Sequence, residues 1–428
     1  MLHSPVPSDE RDVLPAAAAS ERKVFGRHSA ISWIITAGLI ALVLKFAIAA
    51  STVGDEDVLA FYRFGRSVTE HGLEWTYRHD RALNHPPLVA AYLQLIYAAD
   101  RIPLLRESGL SFPLLLKTPA IVADFLVVLL LARLRRKLSL PTWSLILLAL
   151  SPVSLMVSGY HGNTDPVMVM FLVYATWQCM RGAPVWCGIL LALSCQIKIV
   201  PLFLTPIFFF IWMTRGRVIP FLLSFAATMI ALWSQPLFNF PFLFLKSVLL
   251  YGGFWGCWGI TYWLRLTGAR AFGAVGYLSL PMAEQVVMTA LKLFIVAGSL
   301  LIGWRGRHAQ GRAVFSSLAL AWVVFYILSP AVAPQYMVWL IPFVVILSPR
   351  FGAYLIATSS LFLFFFYNTT SRGGWDISVA DAATNEVTTP WALWPWSVLV
   401  GGLVLLYRAT RARHPDFRFF SAKPLPLD

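Results

Sequence analysis

Residues 51–64 read "STVGDEDVLAFYRF". They follow an apolar run near 31–50 that is long enough to cross a bilayer, and they put Asp55, Glu56 and Asp57 in succession where that span must end. Acidic residues are scarce: 20 Asp plus Glu in 428 residues of which 58% are hydrophobic, so three side by side mark a particular place. Only 13% of the chain is charged, against about 25% in soluble domains. This composition describes an all-α polytopic membrane protein with short soluble tails and excludes a water-soluble enzyme.

Working outward, the net charge of +14 does not describe a nucleic-acid surface. The basic residues fall in small groups at the ends of apolar runs: Arg22, Lys23 and Arg27; Arg133 to Lys137; Arg215 and Arg217; Arg305, Arg307 and Arg312; Arg408, Arg411 and Arg413. That is the positive-inside pattern. The four cysteines form no CxxC pair. Residues 1–28, rich in Pro, Ala and charge, are expected to be a disordered cytoplasmic tail, and 409–428 a second cytoplasmic tail.

Apolar stretches near 30–50, 112–132, 141–158, 166–180, 184–197, 199–214, 218–235, 284–304, 313–329, 334–348, 351–367 and 391–407 predict a bundle of about 12 transmembrane helices over 29–408. With this threading every arginine group returns to the cytoplasmic side together with both termini. The stretch 87–99, "PLVAAYLQLIYAA", would break that parity as a span and is expected to lie as a helix on the outer surface. Two external loops remain, a long helical one over 52–111 and a second over 236–283.

The carboxylates then stand at the outer boundary, where ionisation is cheaper than at mid-span. A helix-stop signal explains them in part. Clustered carboxylates also do chemistry: like charges a few ångströms apart leave one group with a raised pKa, able to act as a base near neutrality. The same groups would hold a divalent cation through oxygen ligands; the spacing leaves both open, and no other cofactor is indicated.

The stretches "GDEDVLAFYRF", "HGLEWTYR" and "LNHPPLVAAY" resemble the first luminal loop of class-C (GT-C) glycosyltransferases, with the pattern of the dolichyl-phosphate-glucose glucosyltransferases of N-glycan assembly. The resemblance implies a GT-C-type bundle, a polyprenyl-phosphate-linked sugar as donor, and a first-loop Asp as general base. Asp55, directly after Gly54, matches that position, with Asp57 as the second candidate. At Asn84-His85-Pro86-Pro87-Leu88 the family usually has Asp and Tyr before the prolines, so the sugar stays open; His85 is a candidate binding residue or a plain helix-start residue.

Five further polar positions land on the same side. "SGYHGNTDPVMVM" offers His161 and Asp165, where Asp165 also suits a helix N-cap; the family carries a His-Gly-His stretch there. "LSCQIKIVPLF" offers Lys198, either a snorkelling cation or a partner for a lipid phosphate. "SPAVAPQYMVWLIPF" offers Gln335 and Tyr336, at a helix start suited to phosphate or sugar hydroxyls, or to interface anchoring. The expected protein transfers a sugar from polyprenyl phosphate to a glycan, lipid or protein hydroxyl outside the cytoplasm, in a bacterial inner membrane or the ER membrane. The alternative is a transporter or flippase of lipid-linked sugars, which would place its polar groups near the bilayer midplane in repeated halves; no internal repeat is apparent in the sequence.

Overall fold

A computed structural model describes residues 14–80, 82–249, 254–268, 273–274 and 280–413. The described chain is almost wholly helical; its strands are two-residue pairs, Gly54–Asp55 parallel to Ile377–Ser378 and Phe254–Trp255 antiparallel to Gly273–Ala274. Among the described residues seven helices are long and apolar enough to cross a membrane: Ser29–Ser51, Phe112–Leu134, Thr142–His161, Val218–Asn239, Met282–His308, Pro349–Thr370 and Glu386–Arg408. Four further apolar helices, Pro184–Ile197, Val200–Thr214, Arg312–Leu328 and Pro334–Leu347, are shorter. This is an all-α protein with the helices of a multi-pass membrane protein.

The shorter elements owe their length to proline. Pro334 and Pro342 split the stretch expected as one span into a 3₁₀ turn, Pro334–Val338, and the helix Ile341–Leu347. Pro152 interrupts another, which resumes as Pro152–Ser154 and then widens into the π-helix Leu155–His161. Non-helical backbone at membrane depth survives only where protein or a water-filled cavity covers it. The Pro334 turn and the end of the π-helix border the site described below.

The amino-terminal segment differs from expectation. The helix Leu14–Ser51 already begins inside the tail read as disordered, because Pro15 suits a first helical turn and the alanines that follow are strong helix formers; residues 1–13 lie outside the described residues. At the other end the helix Ala382–Arg413 runs into the second tail, and 414–428 lie outside the description.

The first loop is helical as expected. Asp55 caps the helix Glu56–His71, whose acidic first turn suits the positive helix end. Val58, Phe61, Phe64 and Val68 form its buried stripe, packed on the helix Pro87–Asp100, which buries Val89, Leu93, Ile96 and Tyr97. At the opposite end of the bundle the arginines close helix ends: Arg215 donates to the Cys179 and Ala309 carbonyls (2.6 and 2.9 Å), and Arg312 to that of Ile346 (2.8 Å). Arg215 and Arg312 thus lie away from the Asp55–Asp57 segment.

Gly162, just after the π-helix, sits at φ +85°, and a Cβ there would lie 2.5 Å from Val58 Cγ2. Gly182 has a similar φ of +76° but nothing within 4 Å. Alanine at either site carries the left-handed cost of about 1–2 kcal/mol; at Gly162 overpacking adds about 1–3 kcal/mol. Thermal melts in detergent should therefore place Gly162→Ala clearly below Gly182→Ala, and equal melting temperatures would show that the close approach carries no energy.

Candidate functional site

The segment between the first span and the helix Glu56–His71 is fixed from three directions. Lys117 Nζ donates to the Thr52 carbonyl (2.9 Å) and hydroxyl (3.1 Å). The Gly54 N–H donates to the Asp376 carbonyl (2.9 Å), which starts the parallel pairing of Gly54–Asp55 with Ile377–Ser378. That register delivers the Ser378 hydroxyl to Asp55 Oδ2 at 2.5 Å, while Asp55 Oδ1 accepts from the Asp57 N–H at 3.4 Å. Lys117, Asp376 and Ser378 were not legible as site residues. The loop that carries two of them contributes through a backbone pairing that no local pattern announces.

Asp57, two residues on, points the other way. Its Oδ2 accepts from His161 Nε2, Asn163 Nδ2 and Gln335 Nε2, each at 3.1 Å. The second ring nitrogen of His161 lies 2.9 Å from the Tyr367 hydroxyl and 3.7 Å from Asp55 Oδ2. Behind this layer Asp165 is fully buried and accepts from Lys198 Nζ (2.8 and 3.1 Å) and Trp339 Nε1 (2.7 Å). The Lys198 ammonium also sits over the rings of Tyr336 (4.3 Å) and Trp339 (5.1 Å), which stack on each other. Asn163 joins the layers, since its Oδ1 accepts the Asp165 N–H at 3.2 Å.

A cavity opens beside the carboxylates. Asp55, Glu56, Asp57, His161 and Gln335 form its polar end, and Val332, Phe362, Phe366 and Ala392 are among its apolar walls. Of the residues singled out in the sequence, Asp55, Asp57, His161 and Gln335 therefore meet on one cavity wall. Asp165, Lys198 and Tyr336 form the supporting layer and do not line the cavity. His85 stands apart. It is buried, edge-on to Phe61 at 5.2 Å, and neither ring nitrogen has a partner among the described residues. Burial, aided by the charge on Lys198 and opposed by Asp57, holds its pKa down to about 3, so it is neutral at physiological pH.

The neighbouring carboxyls are driven apart. Burial raises Asp55 above the ordinary range and the charge of Asp57 adds to this, while His161, Ser378 and the Asp57 amide pull it partly back. Burial pushes Asp57 up as well, but the hydrogen bond and charge of His161, then Lys198, more than offset it and leave Asp57 below the usual value. Glu56, half-buried, is pushed up to about 7 by burial and by its two acidic neighbours. One carboxyl is thus held ionised and its neighbours proton-seeking, which is how acid and base roles are separated in a shared site.

Asp55, Asp57 and His161 each offer a ligand atom within 4.8 Å of the others, the one group among the described residues that could hold a metal ion. The fit is poor as arranged: both His161 nitrogens are engaged and Asp57 Oδ2 already takes three donors. A cation would have to displace those bonds, so no step is derived through one.

No family model matches the chain, and no curated protein matches it.

Because Glu56 ionises more readily unfolded (near 4.5) than folded (near 7), its protonated form favours the folded state, and that contribution is lost as pH rises through about 7. Glu56→Gln should leave the melting temperature nearly unchanged below pH 4.5 and raise it relative to wild type increasingly up to about pH 7, with a plateau above. Melting curves of both proteins from pH 4 to 9 check this; a pH-independent difference would contradict it.

Proposed function

We propose that the protein is an integral-membrane glycosyltransferase of the GT-C type, with about 12 membrane crossings, both termini cytoplasmic and its site on the extracytoplasmic side of a bacterial inner membrane or the ER membrane. It transfers a sugar from a polyprenyl-phosphate donor to the hydroxyl of a glycan, lipid or protein acceptor. One observation carries this: a proton-seeking carboxyl, Asp55, beside a carboxylate held ionised, Asp57, at the polar end of a cavity whose remaining walls include Val332, Phe362, Phe366 and Ala392. A polar reacting centre joined to a long apolar carrier needs that combination.

In the proposed reaction Asp55 takes the proton of the acceptor hydroxyl as its oxygen bonds to the anomeric carbon. The bond from that carbon to the phosphate oxygen breaks, and its electron pair leaves with the polyprenyl phosphate. Attack opposite the leaving group inverts the anomeric centre. Ser378 and the Asp57 amide keep the Asp55 carboxyl aimed. Asp57, with His161 and Gln335 fixed on one of its oxygens, provides the negative charge that favours the electron-poor anomeric carbon in the transition state. Lys198 is already paired with Asp165. Its proposed part is to offset the charge of the departing phosphate from the supporting layer.

The test offers the purified full-length protein in nanodiscs a panel of polyprenyl-phosphate sugars, with crude lipid and glycan acceptors. Asp55→Asn should lower transfer about 10²-fold or more, the usual worth of a general base, with donor KM changed by less than about threefold. Transfer by Asp55→Asn close to the wild-type rate, or no transfer by the wild type from any donor, would overturn the proposal.

A further inference from the structure

A second charged cluster lies inside the bundle, away from the cavity, and no step above uses it. Lys45, on the first span, and Asp124, on the helix Phe112–Leu134, form an ion pair at 2.7 Å with side-chain exposures of only 4% and 14%. The same Asp124 Oδ2 accepts from the Ser154 and Ser158 hydroxyls, each at 2.5 Å, and Lys45 Nζ also donates to Ser154 Oγ at 2.5 Å. One carboxylate oxygen thus gathers three donors from two other segments.

This arrangement is expensive as a fastener. A charged side chain at the centre of a spanning helix costs about 2.5–3.5 kcal/mol on insertion scales, and well-packed apolar residues often replace a buried ion pair with no loss of stability. Directional bonds can do what apolar packing cannot: fix one register of a segment that has several. The segment here has that freedom. Ser154 ends the short helix Pro152–Ser154, and Ser158 lies within the π-helix Leu155–His161, whose wide turn competes with the ordinary α-helical register. Slipping by one residue would rotate everything downstream by about 100°.

Two further features bear on this. Gly159 lies against the first span so closely that a Cβ would be 3.2 Å from Lys45 Cα, which keeps the π-turn beside the ion pair. Lys45, Asp124 and Ser154 also border a small cleft, walled in part by Gly38, Leu42, Ile121 and Phe125. Side-chain wedging therefore does not hold Lys45 and Asp124 on that side; their hydrogen bonds do. The π-helix ends at His161, whose Nε2 reaches Asp57.

We propose that Lys45 and Asp124, through Ser154 and Ser158, are positioning residues that set the register of the π-turn and so aim His161 at Asp57. The pair neither touches substrate nor lines the cavity; it acts on the site through one helical turn. This deepens the glycosyltransferase proposal and rests on it only where transfer is measured.

The experiment uses full-length protein labelled with ¹⁵N-histidine in nanodiscs. The His161 signal is identified by its loss in His161→Gln, and Asp57→Asn shows how it responds when the Asp57 bond is broken. The double variant K45M/D124L replaces the ion pair with apolar side chains. It should melt within about 3 °C of wild type, yet shift the His161 resonance and its titration toward those of Asp57→Asn. If donors are used, kcat should fall about 10- to 100-fold with donor KM within about twofold. Should the double variant not fold, Ser158→Ala removes a single hydroxyl and should move the same signal in the same direction. A folded variant with an unmoved His161 signal would overturn the inference even if transfer changed. Absence of transfer with a moved signal would count against the glycosyltransferase proposal alone.

Discussion

One oxygen of Asp57 holds the site together. It accepts an imidazole nitrogen and an amide from the turn at His161 to Asn163, and a second amide from Gln335, at the start of the Pro334–Val338 turn. A carboxylate only partly open to water keeps its charge cheaply when such donors compensate it. Meeting that requirement brings three separated pieces of chain to one point: the start of the helix Glu56–His71, the end of the π-helix and a proline-led turn. Helix ends alone present side chains and free backbone amides in the same place, which is why the site forms where the helices are broken.

Charge is distributed so that the polar groups near the site do not compete. Lys198 is matched by Asp165, and Lys45 by Asp124. Asp57 receives its compensation as hydrogen bonds and the imidazole of His161. Asp55 and Glu56 are left proton-seeking at the cavity wall. The basic residues that close helix ends, Arg215 and Arg312, lie at the other end of the bundle and do not quench these carboxyls.

The long apolar runs and the arginine groups made the helical membrane architecture legible, because both follow from the bilayer and not from tertiary detail. Asp55, Asp57, His161 and Gln335 were legible as candidates that meet at one cavity for a related reason: strongly polar side chains at the ends of apolar runs are costly without a use. The partners were hidden. Ser378 is an ordinary serine until a strand pairing sets it beside a residue 323 positions away. Lys45 and Asp124, 79 residues apart, each look like a single tolerated charge until they are seen as a pair. Lys198 reads in the sequence as a snorkelling cation or a phosphate partner, and nothing local announces its pairing with Asp165, 33 positions away. The helical start at Leu14 was masked by a composition that fits disorder and helix about equally.

The acidity of the cavity wall constrains how the proposed reaction can be oriented. Three carboxyls and one imidazole stabilise a proton in transit and an electron-poor carbon, but they repel a phosphate. The donor must therefore lie with its anomeric carbon toward Asp55 and Asp57 and its phosphate away from them. The acceptor hydroxyl then approaches from the carboxyl side, in line with the breaking bond. In the proposed reaction the carboxyls would accordingly act on the acceptor and on the sugar, and the departing phosphate would depend on charge from outside the cavity wall. Lys198, whose field already reaches Asp57 and His85, is the cation positioned to supply it. On this account the Lys198–Asp165 pair sets the strength of that field: Asp165 damps it in the resting site, and Trp339 and Tyr336 keep the ammonium from swinging into the cavity to neutralise Asp57.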